Sequence, residues 1–386
     1  MTSHQKKYSI LTILSFFVFS LIIHSSKACT IFFLTDVNNA LFFNNEDWTS
    51  PYTRIWFIPA GKDYYGCAFV GFVDGSAEGG INTEGLSFDW WAGGYNPYVW
   101  DKNKPRAKGS SSERMLETCK TVDEAIEFYK KYAEPSFENA TILVADKTGA
   151  SVTIGSKDGE LFFDKSNESR GIGYAESVFQ KMYNHDNSVN LSNGTNILKH
   201  CVAPGEQGTK YSNVFDLRTG DIYVYQFESR SEGIALNLLD ELKKGEHYYD
   251  ISEIKFQISE PIKPIAPHNR RLYLYEFDSL PETDKKLGSK AKKIVSDMSN
   301  GTIDAGHYVA GFWKDLEKDG SNLKSALKPY GNLKSIHLIE KVKEGDMEIL
   351  YYVGIYEYGR MLWQFGFNSE YIVQDLNLKY REITSY

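Results

Sequence analysis

The stretch HSSKACTIFFLTD, residues 24–36, places a cysteine between an apolar run and the first β-rich run of the chain. Ser26 and Ala28 are small residues at the two positions that a signal peptidase recognises before its cut. The pattern predicts a signal peptide over residues 1–28 and a mature chain that begins at Cys29. We therefore expect an exported protein, whether secreted, periplasmic or lysosomal.

The residues further upstream fit the same interpretation. Lys6 and Lys7 give a basic start, and residues 10–23 form an apolar run of 14 residues, which is short for a membrane span of roughly 20 residues. An uncleaved N-terminal anchor is the alternative. No later stretch is apolar enough to span a bilayer, so no stable membrane span is expected after cleavage.

Two other roles for the cysteine stay open at this stage. A bacterial lipoprotein also begins with cysteine, although Ser26 and Lys27 do not fit its usual signal. Cys29 could also be a disulfide partner in an oxidising compartment. Four cysteines are too few for a disulfide framework, and they lack metal-ligand spacing; they are Cys29, Cys67, Cys119 and Cys201.

Length and charge limit the classes of function. The 358 residues after the predicted signal are enough for two domains. The whole chain carries a formal charge of −8, and residues 1–28 contain three lysines and no acid, which leaves −11 on the remainder. An acidic chain without a basic cluster argues against nucleic-acid binding. We expect a small-molecule substrate and neither a metal nor a cofactor.

The element pattern predicts an α+β protein. Short β-rich runs dominate residues 29–100, and GGINTEGLSFDWW, residues 79–91, has the composition of a further strand. A helix is predicted over residues 112–133, where Thr121 and Glu124 fit a capping box. Strand pairs and short helices then alternate up to about residue 255.

The residue composition changes at about residue 259, which suggests a second domain. Residues 29–258 are predicted to form the first domain, and the proline-rich residues 259–269 suit a linker. Residues 270–386 contain helical pieces followed by an antiparallel meander, which predicts a small α+β accessory domain. This region weakly resembles the NTF2-like or cystatin-like tails of exported hydrolases.

A cysteine exposed as residue one carries its own α-amine beside its thiol. That amine titrates near pH 8 and is able to act as the base without a histidine. Asp47 ends the second predicted strand, and a hairpin would bring it beside Cys29, while Glu46 would point to the opposite face. Asn82 lies between glycines, and we expect both its backbone N–H and its amide to face a cavity.

An ordered set of motifs carries a family resemblance. The motifs are CT at 29–30, NNEDW at 44–48, GGINTEGLSFD at 79–89, ILVADKTGASVTI at 142–154 and YSNVFDLRTGDIYVY at 211–225. Together they resemble the N-terminal-nucleophile (Ntn) cysteine hydrolases of the choloylglycine hydrolase and penicillin V acylase type, and more nearly their branch of linear amide C–N hydrolases. The resemblance covers about residues 29–255.

The resemblance implies a fold and a mechanism. The fold would be an αββα sandwich, and Cys29 would attack an amide carbonyl to form a thioester that water hydrolyses. Asp47 would hydrogen-bond the α-amine, and Asn82 would donate its backbone N–H to the oxyanion.

Three positions depart from the family pattern. Asn44 stands where the family usually has an arginine, Lys210 stands in place of another arginine, and SRGIGYAES at 169–177 lacks the usual Thr-Asn pair. Bile salts and penicillins are therefore disfavoured as substrates. Asn44, Lys210 and Trp48 are candidates for substrate support. The alternative function is a secreted or lipid-anchored binding protein with a catalytically inactive Ntn fold.

Overall fold

The computed structural model describes most of the chain after the predicted signal. The described residues are 29–48, 51–72, 77–93, 96–99, 101, 103–107, 110–205, 207–226, 233–261, 279–282, 284–308, 327, 330–344, 347–357 and 359–383. The predicted signal peptide and most of the predicted linker lie outside them.

Fourteen described strands build two antiparallel sheets in the first part of the chain. They are β1 (Thr30–Thr35), β2 (Ala40–Asp47), β3 (Thr53–Ile58), β4 (Cys67–Phe72), β5 (Ala77–Asn82), β6 (Leu86–Trp91), β7 (Thr141–Asp146), β8 (Ser151–Lys157), β9 (Glu160–Ser166), β10 (Arg170–Gly173), β11 (Thr209–Asp216), β12 (Asp221–Gln226), β13 (Ile234–Asn237) and β14 (His247–Asp250). The first sheet has the order β10-β1-β2-β11-β12-β13, and the second has the order β14-β3-β4-β5-β6-β7-β8-β9.

Six short helices are described beside these sheets. They are α1 (Ser111–Thr118), α2 (Val122–Lys131), α3 (Glu176–His185), α4 (Leu191–His200), α5 (Leu238–Leu242) and α6 (Ile254–Gln257), with a 3-10 helix at Pro135–Glu138. Thr121 caps α2 by accepting a hydrogen bond from the Glu124 N–H at 3.2 Å, which confirms the predicted N-cap at Thr121.

Three hydrophobic cores show how the sheets and helices are layered. One core lies between the two sheets and is built from residues such as Ile31, Phe57 and Phe215. A second core packs α1 and α2 on the outer face of the eight-stranded sheet. A third packs α3 and α4 on the outer face of the six-stranded sheet. This helix–sheet–sheet–helix arrangement confirms the predicted αββα sandwich.

The alternation of side chains along β1 and β2 decides which residues face the space between the sheets. Ile31 and Phe42 belong to the core between the sheets, whereas Phe32 and Phe43 pack under α3 and α4. Successive side chains of a strand point to opposite faces. The inner face of the six-stranded sheet therefore carries Cys29 and the even-numbered positions of β2.

Two element predictions were wrong in detail. Residues 79–91 form the two strands β5 and β6 rather than one strand, because Gly85 takes a φ of +78° and closes a turn between them. The helix predicted over residues 112–133 is divided into α1 and α2. The division falls at Cys119, which has an extended backbone, just before the N-cap of α2.

The last part of the chain has a core of its own. Helix α7 (Lys285–Ser299) packs on a four-stranded antiparallel meander of β15 (Leu333–Glu344), β16 (Met347–Tyr356), β17 (Gly359–Phe367) and β18 (Val373–Ile383). A short 3-10 helix spans Ala305–His307. The predicted helix-then-meander order is confirmed. The domain division and the likeness to NTF2-like or cystatin-like tails stay predictions.

Candidate functional site

The candidate site is centred on Cys29 at the start of β1. Thr30 pairs with Asn45, so the register places Cys29 across from Glu46. The sulfur of Cys29 donates a hydrogen bond to Oε1 of Glu46 at 3.2 Å, and both residues are buried. The thiol thus lies in the space between the two sheets.

The backbone of Cys29 is fixed by the neighbouring strand β10. Its carbonyl oxygen accepts a hydrogen bond from the Tyr174 N–H at 3.2 Å. Gly173 has a φ of +112°, and a Cβ added there would lie 2.2 Å from the same oxygen. Only glycine permits this close approach without strain.

Asp47 and Glu46 are placed the opposite way round from the sequence prediction. The Asp47 carboxylate accepts a hydrogen bond from Thr209 Oγ1 at 2.5 Å, on the other side of the strand from Glu46. It is the backbone N–H of Asp47, not its side chain, that hydrogen-bonds the Cys29 thiol. The expectation that Glu46 points away from Cys29 was wrong, because the pairing register differs by one residue from the one that the prediction required.

A second buried carboxyl approaches the thiol from the opposite sheet. Asp89 lies on β6, is fully buried, and pairs across the ladder with Gly79. A Cβ at Gly79 would lie 2.1 Å from Asp89 Oδ2, so the glycine makes room for the carboxylate. Within the described part of the chain, neither oxygen of Asp89 makes a hydrogen bond of good geometry, although the Trp90 N–H lies close enough to lower its pKa slightly.

Burial and mutual repulsion dominate the electrostatics of this cluster. Burial raises the pKa of the Glu46 carboxyl well above its ordinary value, and the charge of Glu78 raises it further. Burial also raises the pKa of Asp89, and the charges of Glu46 and Glu78 add to that effect. Glu46 on β2 and Asp89 on β6 therefore favour proton uptake over shared negative charge.

The thiol itself is held in its neutral form. Burial raises the pKa of Cys29 well above its ordinary value, and the charges of Glu46 and Asp89 raise it further, whereas the hydrogen bond from the Asp47 N–H lowers it. A neutral thiol is a poor nucleophile. The chain as described therefore needs a further change near Cys29 before the sulfur becomes reactive.

Two further polar side chains line the space around Cys29, and the sequence analysis did not identify them. Tyr211 and Asn213 lie on β11, where they pair with Glu46 and Asn44, and both are fully buried. The Tyr211 hydroxyl and the Asn213 amide make no hydrogen bond among the described residues. The charges of Glu46 and Asp89 raise the pKa of Tyr211, after the larger effect of burial. The signal for these residues was polar side chains at inward positions of otherwise apolar strands.

The Asn82 side chain does not face this space. Its amide Nδ2 donates to the carbonyl oxygens of Leu116 and Cys119, both at 2.7 Å, and its Oδ1 accepts from the N–H groups of Glu84 and Leu86. The predicted exposure of the amide to a cavity was wrong, because Asn82 shares the outer face of β5 with α1. Its backbone N–H is the group left for the predicted oxyanion role.

The three candidates for substrate support lie in different surroundings. Asn44 lies on the inner face, and its Nδ2 donates to Oε2 of Glu46 at 3.2 Å. Lys210 is half-buried at the β-bulge between Thr209 and Tyr211. Trp48 is 54% exposed, and its ring centre lies 6.2 Å from that of Phe72. The structure brings Asn44, but not the Trp48 ring, into contact with the buried carboxyls.

The other cysteines and the described surface offer no second reactive cluster. All four cysteines are buried free thiols, so a disulfide at Cys29 is absent in this structure. No group of three or more histidine, cysteine or acidic side chains in the described residues is arranged to hold a metal ion. Among the same residues, no helix is long and apolar enough to cross a membrane.

Comparisons with known proteins found similarity to solved structures only. No family model and no curated protein matches the sequence significantly. The structure of penicillin V acylase from Agrobacterium tumefaciens is 13% identical, with 62% of this chain and 99% of that chain covered and a TM-score of 0.47. Two variants of conjugated bile acid hydrolase from Clostridium perfringens are 15% identical with TM-scores of 0.46; they cover 58% and 62% of this chain and 96% and 99% of their own.

The chain resembles these hydrolases. A penicillin V acylase and a conjugated bile acid hydrolase are also the two kinds of enzyme that the sequence motifs resemble.

Proposed function

We propose that the chain is an exported cysteine Ntn hydrolase that cleaves a linear carbon–nitrogen amide bond through a thioester on Cys29. The observation that carries the proposal is the position of the thiol. Its sulfur lies between two sheets, 3.2 Å from Oε1 of Glu46, at the residue before which a signal peptidase is expected to cut. One cleavage then supplies both a nucleophile and a base.

The reaction follows from the chemistry of an N-terminal cysteine. The α-amine takes the thiol proton, the sulfur attacks the amide carbonyl carbon, and a tetrahedral oxyanion forms. Collapse breaks the C–N bond, and the leaving amine carries away the proton. Water then hydrolyses the thioester, which releases the acid and restores the thiol. Backbone N–H donors, for which Asn82 is the candidate, would stabilise the oxyanion.

The lining of the site limits the substrate class. Acyl or amine groups with a carboxylate near the scissile bond would meet Glu46 and Asp89, and Asn44 offers no positive charge to compensate. Glycine-conjugated bile acids carry a carboxylate of this kind. Amides that are neutral or positively charged near the scissile bond are favoured.

The test begins with the N-terminus. Sequencing of the exported protein should start at Cys29, and mass spectrometry should find no acyl group on it. A panel of N-acyl amines and short peptidic amides should then be hydrolysed by the mature protein and not by Cys29→Ala. A mature chain that begins elsewhere, or an acylated Cys29, would favour the alternative of a binding protein with an inactive fold.

A further inference from the structure

The carboxyls beside Cys29 lack a counter-charge in the chain as described. Glu46 on β2 and Asp89 on β6 are buried, and Glu78 on β5 adds negative charge to both. The groups that face them are Cys29 on β1 and Tyr211 on β11, while the Asp47 carboxylate lies on the other side of β2. No lysine, arginine or histidine is among the charges that shift the pKa of Asp89. Burying acids together without a cation is costly.

Unpartnered polar groups line the same space between the sheets. The hydroxyl of Tyr211 lacks a hydrogen bond within the described residues, the carboxylate oxygens of Asp89 have only the poorly aligned Trp90 N–H nearby, and both side chains are fully buried. Buried polar groups are normally hydrogen-bonded. These atoms lie on the inner faces of two different sheets, where Cys29 also points.

Cleavage before Cys29 would deliver a cation to this place. Hydrolysis of the peptide bond between Ala28 and Cys29 consumes one water, leaves a carboxylate on Ala28 and leaves an amine on Cys29 that takes up a proton. Three bonds separate this amine from the sulfur, and the sulfur is 3.2 Å from Glu46. The new charge therefore appears within a few ångströms of the Glu46 carboxyl, and the Asp89 carboxyl is close enough to act electrostatically on the same residue.

We propose that Glu46 and Asp89 form the receptor for the α-ammonium group that cleavage before Cys29 creates. The proposal rests on the cleavage site of the proposed function but not on hydrolysis of any substrate. Glu46 is then a positioning residue, which orients the N-terminus from the inner face of β2. Processing gives this pair of acids the positive partner that it lacks in the uncut chain, so the mature chain is both more stable and correctly charged for chemistry.

The effect of Glu46→Gln on the midpoint of thermal unfolding should differ in sign between the uncut and cut chains. In the uncut chain at neutral pH, Glu46→Gln removes a buried charge without a cation, so the midpoint of thermal unfolding should stay the same or rise. In the cut chain the same substitution removes a partner of the ammonium, so the midpoint should fall. A residue that merely packs at this place would change both chains by the same amount.

The experiment uses the full chain with the recognition sequence of a site-specific protease in place of residues 22–28, so that the cut leaves Cys29 first. Thermal unfolding is measured before and after the cut for the wild type, Glu46→Gln, Asp89→Asn and Glu241→Gln. Glu241 is the matched control, because it is a buried acid that already pairs with His247 at 2.9 Å and Lys244 at 2.7 Å.

We expect the cut to raise the midpoint of the wild type and of Glu241→Gln by roughly 2–4 °C or more. Most of this gain should be lost in Glu46→Gln and in Asp89→Asn. Equal gains in all four proteins, or no gain in the wild type, would overturn the proposal.

A second measurement reports the ammonium directly. Competitive labelling of the α-amine over a pH series gives its pKa, which in an ordinary N-terminus is about 7.7–8.0. We expect a higher pKa in the cut wild type and a return towards the ordinary value in Glu46→Gln. An ordinary pKa in the wild type would overturn the receptor role. Neither measurement uses a substrate, so a lack of amidase activity would count against the proposed function alone.

Discussion

The sulfur of Cys29 and Oε1 of Glu46 lie 3.2 Å apart because Thr30 pairs with Asn45 in the ladder between β1 and β2. This register brings Glu46, and not the carboxylate of Asp47, to the face that carries the thiol. Asp47 contributes its backbone N–H to the sulfur instead. The sharpest test of the site is therefore to compare the loss of activity when each of these two neighbouring carboxylates is removed.

The first prediction compares Glu46→Gln with Asp47→Asn in the mature protein. Loss of the Glu46 carboxylate should lower kcat/KM by about tenfold to a hundredfold, since misplacing a reacting group by about 1 Å costs on that order. Asp47→Asn should have a smaller kinetic effect, because its backbone N–H is retained and its carboxylate contacts Thr209. Steady-state hydrolysis of the best amide substrate measures both.

The pH profile separates positioning from packing in this comparison. If Glu46 orients the α-amine, the acidic limb of kcat/KM should move to lower pH in Glu46→Gln, because the amine loses a negative neighbour that raises its pKa. Thr209→Val, which removes the partner of Asp47, serves as the control and should leave that limb unchanged. A profile that moves for Asp47→Asn and not for Glu46→Gln would return Asp47 to the role that the sequence predicted.

The second prediction concerns stability and pH in the uncut chain. The pKa of Asp89 is raised in the folded chain from an ordinary value of 3.8, mainly by burial. The folded state then binds more protons than the unfolded state between these two values, so stability is present below about pH 4 and falls as pH rises through the raised pKa. Urea unfolding of the wild type over a pH series should show this decline, and Asp89→Asn should reduce it. If the free energy of unfolding falls equally steeply with pH in the wild type and in Asp89→Asn, the raised pKa of Asp89 would be contradicted.

The strands and the capped helix were predictable because their sequence signals are local, whereas the αββα layering was predicted through the family resemblance. Ile31 and Phe33 alternate with Phe32 and Leu34 along β1, and each set fills a different core. Strands of this pattern are buried on both faces and require layers on both sides. The side chain of Thr121 likewise marks the start of α2, because it caps the first turn.

The arrangement of the site was less predictable because it depends on register. Cys29 was found from its position after a signal sequence, which is a chemical signal independent of pairing. The face of Glu46 depends on which residues of β1 and β2 lie opposite each other, and a slip of one residue exchanges the two faces of the whole strand. Asp89 comes from another sheet, and no local pattern connects it with Cys29.

The third prediction concerns Asn82 as a structural residue. Its side chain satisfies two carbonyl oxygens and two N–H groups in a buried turn. Each buried partner left unsatisfied costs about 1–3 kcal/mol, so Asn82→Ala should lower the free energy of unfolding by more than about 3 kcal/mol. The control is Asn184→Ala on exposed α3, which should stay within about 0.5 kcal/mol of the wild type. Urea unfolding measures both, and similar midpoints for the two variants would contradict the prediction.

The fourth prediction is that the chain divides within residues 259–269. The core around α7 contains only residues from Leu287 onwards, and the core between the two large sheets ends at Ile254. Limited proteolysis should cut the predicted linker first and leave a folded fragment that begins at Cys29. The circular dichroism of the two products should add up to that of the uncut protein. Cleavage that unfolds both parts together would instead indicate one cooperative unit.

The fifth prediction is that processing makes one thiol of four reactive. Burial raises the pKa of Cys119 to about 11 and that of Cys201 to about 12, and it raises the pKa of Cys67 as well. In the uncut chain Cys29 is also held as a thiol by burial and by the charges of Glu46 and Asp89. Near neutral pH, iodoacetamide should therefore label the uncut native protein only slowly.

After the cut, the α-ammonium lies beside the sulfur and favours the thiolate, since a neighbouring positive charge lowers the pKa of a cysteine. Peptide mass analysis should then find rapid labelling at Cys29 and unchanged slow labelling at the other three. Cys29→Ala should take up no label on the same timescale, whereas Cys201→Ala should behave as the wild type. Equal labelling rates at Cys29 before and after the cut would show that the new amine does not reach the thiol, and the base assigned to the N-terminus would have to come from another residue.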